Sequence, residues 1–185
     1  MKRLMFSALL VLLGGMNAAQ AEPKEISIAS LGEHPSLAEI VDGLKASMRD
    51  RGFDEGADIV DEFSHVNWDR NLVPQMLAKI TSEKPSAIVV ITTPVGQAAV
   101  RAVSDPTIPI VFAGIQDPVA AGVIPAWGQP TERITGASNL SNMDSTLKFI
   151  KTMLPDLTRL GVPYNPGDDA DRALLERLVA AAPNY

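Results

Sequence analysis

Two periodicities alternate along the chain from residue 26 onward. Ile26 to Leu31 is a short apolar run suited to a buried strand, and Leu37, Ile40, Val41, Leu44 and Met48 then recur at i, i+3, i+4, i+7 and i+11, one face of a helix. Gly52 closes that helix. Ile59 to Phe63 is a more polar second strand, expected near a sheet edge. A second helical stripe follows at Val73, Met76, Leu77 and Ile80; its Pro74 requires the helix to begin close by, with Asn71 as the candidate cap. Ala87 to Ile91 is almost wholly β-branched, which predicts a strand covered on both faces. Thr93-Pro94 opens another helix, Thr93 as N-cap and Pro94 at the first helical position. Ile108 to Phe112 gives a fourth strand and Ile134 to Ser138 a fifth. Strand and helix alternating at this spacing predict right-handed βαβ units and a parallel sheet, an α/β fold.

In such a sheet each loop after a strand emerges at the carboxyl edge, where open α/β sheets bind ligands. Four polar segments with Gly or Pro should meet there: residues 32–36, 92–94, 114–118 and 136–139. They nominate His34, Ser36, Thr92, Thr93, Gln97, Gln116 and Asp117 as lining residues. The helix start at Thr93 leaves backbone N–H groups free, and its dipole favours an anion such as a ligand carboxylate. Capping alone would explain Thr93 equally well. The turns at 84–86 and 105–107 precede strands and belong on the opposite edge.

The N-terminus breaks the pattern. Lys2 and Arg3 precede an uncharged apolar stretch from Leu4 to Leu13, and Ala19-Gln20-Ala21 follows, the order of a secretory signal peptide cleaved after Ala21. The apolar stretch is short of the ~20 residues of a membrane span. Cleavage removes two cations and no acid, taking the formal charge from −6 to −8. With no cysteine at the cleavage site to carry a lipid, the expectation is a freely soluble periplasmic protein.

Composition then narrows the chemistry. The 185 residues contain no cysteine, which excludes disulfides, a thiolate nucleophile and cysteine-held metal centres. Net acidity without clustered Lys and Arg excludes a nucleic-acid partner. There is no G-x-G-x-x-G and no Walker A sequence, so no nucleotide cofactor is expected. His34 and His65 are the only histidines, and neither sits in a metal-ligand pattern; His65 is expected on the surface. Gly136-Ala137-Ser138-Asn139-Leu140 lacks the second glycine of a nucleophile elbow, which leaves a periplasmic hydrolase on a flavodoxin-like sheet as a poorly supported alternative.

The order and spacing of His34-Pro35-Ser36-Leu37, Thr93-Pro94-Val95-Gly96-Gln97-Ala98, Pro109 to Val119, Ile134-Thr135-Gly136 and Gly161 to Gly167 resemble the periplasmic substrate-binding proteins of ABC transporters. The similar branch includes the tryptophan- and tyrosine-type amino-acid binders. That resemblance implies two Rossmann-like lobes, with a small-molecule ligand, an amino acid or related compound, held in the cleft between them and delivered to an ABC permease of the inner membrane. It implies no enzymatic step, no cofactor and no metal, and a monomer. The same fold could instead serve a ligand-sensing receptor.

Under this reading residues 1–21 are the signal peptide, 22–138 a first α/β lobe and 139–185 the start of a second, incomplete lobe. Tyr164 and Asn165 face the cleft from the second lobe, and Tyr164 either stacks on an aromatic ligand or packs the lobes together. The segment after Gly167 reads Asp168-Asp169-Ala170-Asp171 where the family tends to show Glu-Ala-Asn-Ser. From Asn139 onward the expectation is one strand, Leu160 to Tyr164, interrupted by Pro163, and two helices. Their apolar residues Leu147, Ile150, Leu154, Leu174, Leu175, Leu178 and Val179 should then lack a covering sheet.

Overall fold

β1 (Lys24–Ser30) and β3 (Ala87–Ile91) form the centre of the sheet, because their side chains are apolar or small on both faces and both strands are buried over most of their length. The computed structural model describes residues 23–129 and 131–185; the signal peptide expected at 1–21 lies outside the described residues. Around the centre come β2 (Ile59–His65), β4 (Ile110–Ile115) and β5 (Ile134–Ser138), all parallel, in the order β2-β1-β3-β4-β5. The more polar β2 lies at an edge, as its sequence predicts.

Helix α1 (Pro35–Asp50) covers one face through Leu37, Ile40, Val41, Leu44 and Met48, packed on Ile26, Ile28, Ile59, Val89 and Ile91. Helices α2 (Val73–Glu83) and α3 (Thr93–Ala102) cover the other face. The α2 stripe Val73, Met76, Leu77 and Ile80 is buried in full, each such side chain contributing about 1.5–3 kcal/mol over its exposed state. From β1 the chain goes outward to β2, then back across to β3. The order therefore reverses at β1, and the crevice beyond the carboxyl ends of β1 and β3 is the switch point where such sheets take ligands.

Several local expectations change. Asn71 does not cap α2: it lies in a 3-10 turn, Arg70–Leu72, whose cap is the Asp69 carboxylate accepting from the Asn71 N–H, and α2 follows from Leu72 without a side-chain cap. β4 starts at Ile110 rather than Ile108, since Pro109 has no N–H to donate and pairs only through its carbonyl, which accepts from Ile88. Its register against β5 shifts between Phe112 and Ile115, and Gly114, at φ +61, makes the irregularity possible.

After β5 come α4 (Met143–Met153) and α5 (Asp169–Ala181), but Leu160 to Tyr164 is no strand. A strand needs a ladder partner; none of the described residues pairs with this stretch, and Pro163 could not donate to one. Cover on the apolar residues of this region is uneven. Leu147 is buried against expectation, whereas Leu154 and Val179 are 56% and 63% exposed.

Candidate functional site

At the end of β3 the backbone turns sharply, with Thr92 at φ +83 and ψ 150. A β-branched residue in that region costs on the order of 1–3 kcal/mol, and such strain collects at functional sites. Thr92, not Thr93, is consequently the N-cap residue of α3. Its hydroxyl makes no capping bond, and Thr93 is the first helical residue, almost fully buried. Thr92 Oγ1 is inaccessible and has no hydrogen-bond partner, and the same is true of Gln116 Oε1, which leaves the adjacent β4. Among the described residues these two are the buried side-chain polar atoms without a partner. A buried polar atom left without a partner costs about 1–3 kcal/mol. A hydroxyl can donate or accept, whereas an amide oxygen only accepts, so the pair suits a ligand carrying both kinds of polar group.

Asp117, one residue on, is buried and already engaged. Its Oδ1 accepts from the N–H groups of Val119 (3.1 Å) and Ala120 (3.0 Å), and its Oδ2 accepts from the Arg177 guanidinium of α5. Burial pushes this carboxyl up, but the Ala120 N–H and Arg177 together outweigh burial and hold it below the usual carboxylate range. Gln97 on α3 donates to Asp169 Oδ2 at 2.9 Å. That bond is the largest influence on the Asp169 carboxyl and lowers its pKa; burial opposes it, and Arg172 and Arg70 add enough to leave the net shift downward. Arg70, in the loop after β2, pairs with Asp168, the cap of α5.

These contacts lay α5 across the carboxyl edge. From Asp168 to Arg177 a helix advances about 14 Å, and from the β2 loop to the β4 loop, three strand spacings, is also about 14 Å. The helix is thereby tied near its start to Arg70 and Gln97 and near its end to Asp117, and so joins the segments that follow β2, β3 and β4.

The sequence candidates divide into three groups. Thr92, Thr93, Gln97, Gln116 and Asp117 come together at the ends of β3 and β4. His34 and Ser36 sit at the start of α1, where His34 Nδ1 accepts from the Ser36 N–H at 3.2 Å and caps the helix; both are exposed. His34 also lines an open, mainly apolar hollow of about 380 Å³ with Leu37, Val41 and Phe63, on the α1 face of the sheet. Tyr164 and Asn165 lie on the segment before α5. There Asn165 Oδ1 accepts from Gly167 and its N–H donates to Asp171, which builds the turn into the helix. Tyr164 is half exposed.

Sequence reasoning overlooked the loop after β2, Val66 to Asp69, although it follows a parallel strand and obeys the rule that selected the others. It also passed over Arg177, for which no local signal exists: one arginine on a polar helix face reads as solvated until the helix is docked. Glu25, Glu62 and Glu83 gather within 4.8 Å, but Glu62 and Glu83 both pair with Lys79, and the cluster lies away from the carboxyl edge. No described helix is long and apolar enough to cross a membrane.

A family model described as ABC transporter substrate binding protein matches residues 25–185. The chain is similar to the Tyrosine-binding protein of Clostridioides difficile, 34% identical over 145 residues that cover 78% of this chain and 41% of that protein. It is also similar to the crystal structure of a conserved domain protein from Vibrio cholerae O1 biovar El Tor, with a TM-score of 0.82, 31% identity, and coverage of 88% of this chain and 54% of that one. The fold is shared with the ABC domain from Streptococcus pneumonia solved in complex with L-Trp, at a TM-score of 0.80, 23% identity, and coverage of 88% and 54%. The chain thus spans about two-fifths to half the length of the relatives it matches.

Proposed function

The chain belongs to the family of ABC transporter substrate-binding proteins, and on that premise we propose that it captures a free amino acid at the carboxyl edge of its sheet for an inner-membrane ABC permease. The observation that carries this reading is the pair of buried, unpartnered atoms Thr92 Oγ1 and Gln116 Oε1 beside the switch point. An α-amino acid brings a carboxylate that a hydroxyl and the first turn of α3 can hold, and an ammonium group that the Gln116 amide oxygen accepts. The ligand names of the relatives agree: one is a tyrosine binder at 34% identity, another holds L-Trp.

In this reading residues 22–138 form one wall and residues 139–185 supply the facing one, with Tyr164 and Asn165 at its rim. His34 and Ser36 act at the mouth, and Gln97 and Asp117 tie the walls together. Binding shifts the pair toward a closed form that the permease recognises. The protein works as a periplasmic monomer after signal-peptide removal, without a cofactor and without transforming its ligand.

Calorimetry on the full chain tests this with a panel of L-amino acids. One-to-one binding of L-tyrosine or L-tryptophan is expected, weakened about fivefold to a hundredfold by Thr92→Val or Gln116→Leu, since each strands a polar group of the ligand. Absence of binding to any member of the panel would overturn the proposal.

A further inference from the structure

Trp68 stands in the loop after β2 in an arrangement that burial does not explain. Its own φ is +69 and that of Asn67 is +48, two consecutive non-glycine residues in the left-handed region. The loop is pinned: the Trp68 N–H donates to the Leu31 carbonyl at 2.8 Å, the Asp69 N–H donates to the Val66 carbonyl, and the Asp69 carboxylate then caps the next turn. Beneath the indole lies Gly32, itself buried, its carbonyl held by the Ser30 hydroxyl at 2.9 Å.

A Cβ built on Gly32 would fall 2.4 Å from Trp68 Cε2, 2.5 Å from Nε1 and 2.7 Å from Cδ2. Cε2 and Cδ2 are the ring-fusion carbons, which can be approached closely only from a face of the indole. The ring therefore lies flat on the Gly32 backbone, with the opposite face turned away, and the residue remains 52% exposed. Strain in two residues and a glycine kept bare beneath the ring are a high cost for a side chain that is not thereby buried. Gly32 follows β1, and β3 with Thr92 is the next strand, about 5 Å away.

From this geometry, and resting on the amino-acid reading above, we propose that Trp68 is the stacking platform for the side chain of the bound amino acid and selects an aromatic ring over an aliphatic group of equal size. An indole with one face backed by protein and the other free offers the offset stacking that aromatic rings prefer. Trp127 and Tyr164, also exposed, are placed differently. Trp127 lies in the stretch that returns toward the start of β5, at the far end of the sheet, and Tyr164 precedes α5 on the facing wall.

The chain contains two tryptophans, so Trp127→Phe leaves Trp68 as its sole indole reporter. In that background, saturating L-phenylalanine should change the Trp68 emission. By calorimetry, Trp68→Ala should weaken L-phenylalanine about tenfold while affecting L-cyclohexylalanine, of similar size but without a π face, far less; Trp68→Phe should restore the preference. Gly32→Ala, which drives the indole off its seat without removing it, should lower the preference as well. An unchanged ratio of the two affinities in Trp68→Ala, or an emission indifferent to bound L-phenylalanine, would overturn the platform and leave the amino-acid reading standing. If the unaltered chain binds no amino acid at all, both fall together.

Discussion

Helices α2 and α4 have the same length and comparable amphipathic patterns, yet α2 buries four residues and α4 only Leu147. Phe149 and Met153 of α4 remain about two-thirds exposed. The difference lies in what each helix faces: α2 rests on a sheet and against α3, whereas α4 has α5 and an extended segment. Periodicity specifies a face, and burial requires a surface that matches it. The same lesson holds within the sheet-bearing half, where α1 has no fully buried residue because it covers its face alone.

Core truncation should separate the two regions most. Leu77→Ala, at a site with no exposure, should cost about 2–5 kcal/mol in denaturant unfolding. Val179→Ala in α5 should stay within about 0.5 kcal/mol. Equal losses would show that the C-terminal helices are packed as tightly as the sheet.

The link between the regions can be broken at Asp117. Asp117→Asn removes the charge that meets Arg177 and weakens the cap on the turn at 118–120, at a cost of about 1–3 kcal/mol. Because the folded-state pKa is depressed, the stabilisation is fully present above the unfolded value of about 4 and is lost as pH falls through the folded value. Unfolding followed against pH should therefore show a shallower acid limb in Asp117→Asn than in the unaltered chain.

A smaller effect of opposite sign is expected at Thr92. Thr92→Gly relieves the positive φ and removes an unpartnered buried hydroxyl, for a net gain of about 1 kcal/mol after the entropy of the added glycine. Thermal unfolding should show the gain, and calorimetry a weaker ligand. A stability gain with unchanged affinity would remove Thr92 from the site. Smallest of all, Arg70→Ala should cost under about 1 kcal/mol, less in high salt, since the Arg70 end of its pair with Asp168 is half exposed.

Much of the sheet-bearing half was legible because its signals are local. The stripes of α1 and α2, the β-branched run of β3 and the polar edge strand β2 each state their role within a few residues, and parallel topology follows from their alternation. From topology alone, Thr92, Gln116 and Asp117 were placed at the carboxyl edge. Leu160 to Tyr164 was misread as a strand, since an apolar run carries no information about whether a partner strand lies beside it.

What the sequence determined by itself was therefore the α/β class and the carboxyl edge at which the loops after the strands meet, both properties of periodicity and spacing, together with a family resemblance carried by the residues of its motifs. Only the tertiary structure decided that Thr92 turns through a strained φ, that α5 lies across the edge with Arg177 on Asp117, and that the Trp68 indole rests on Gly32. Each of these joins residues distant in the chain or a backbone state no residue type announces, and its energy exists only once the sheet has brought the loops within a few ångströms of one another.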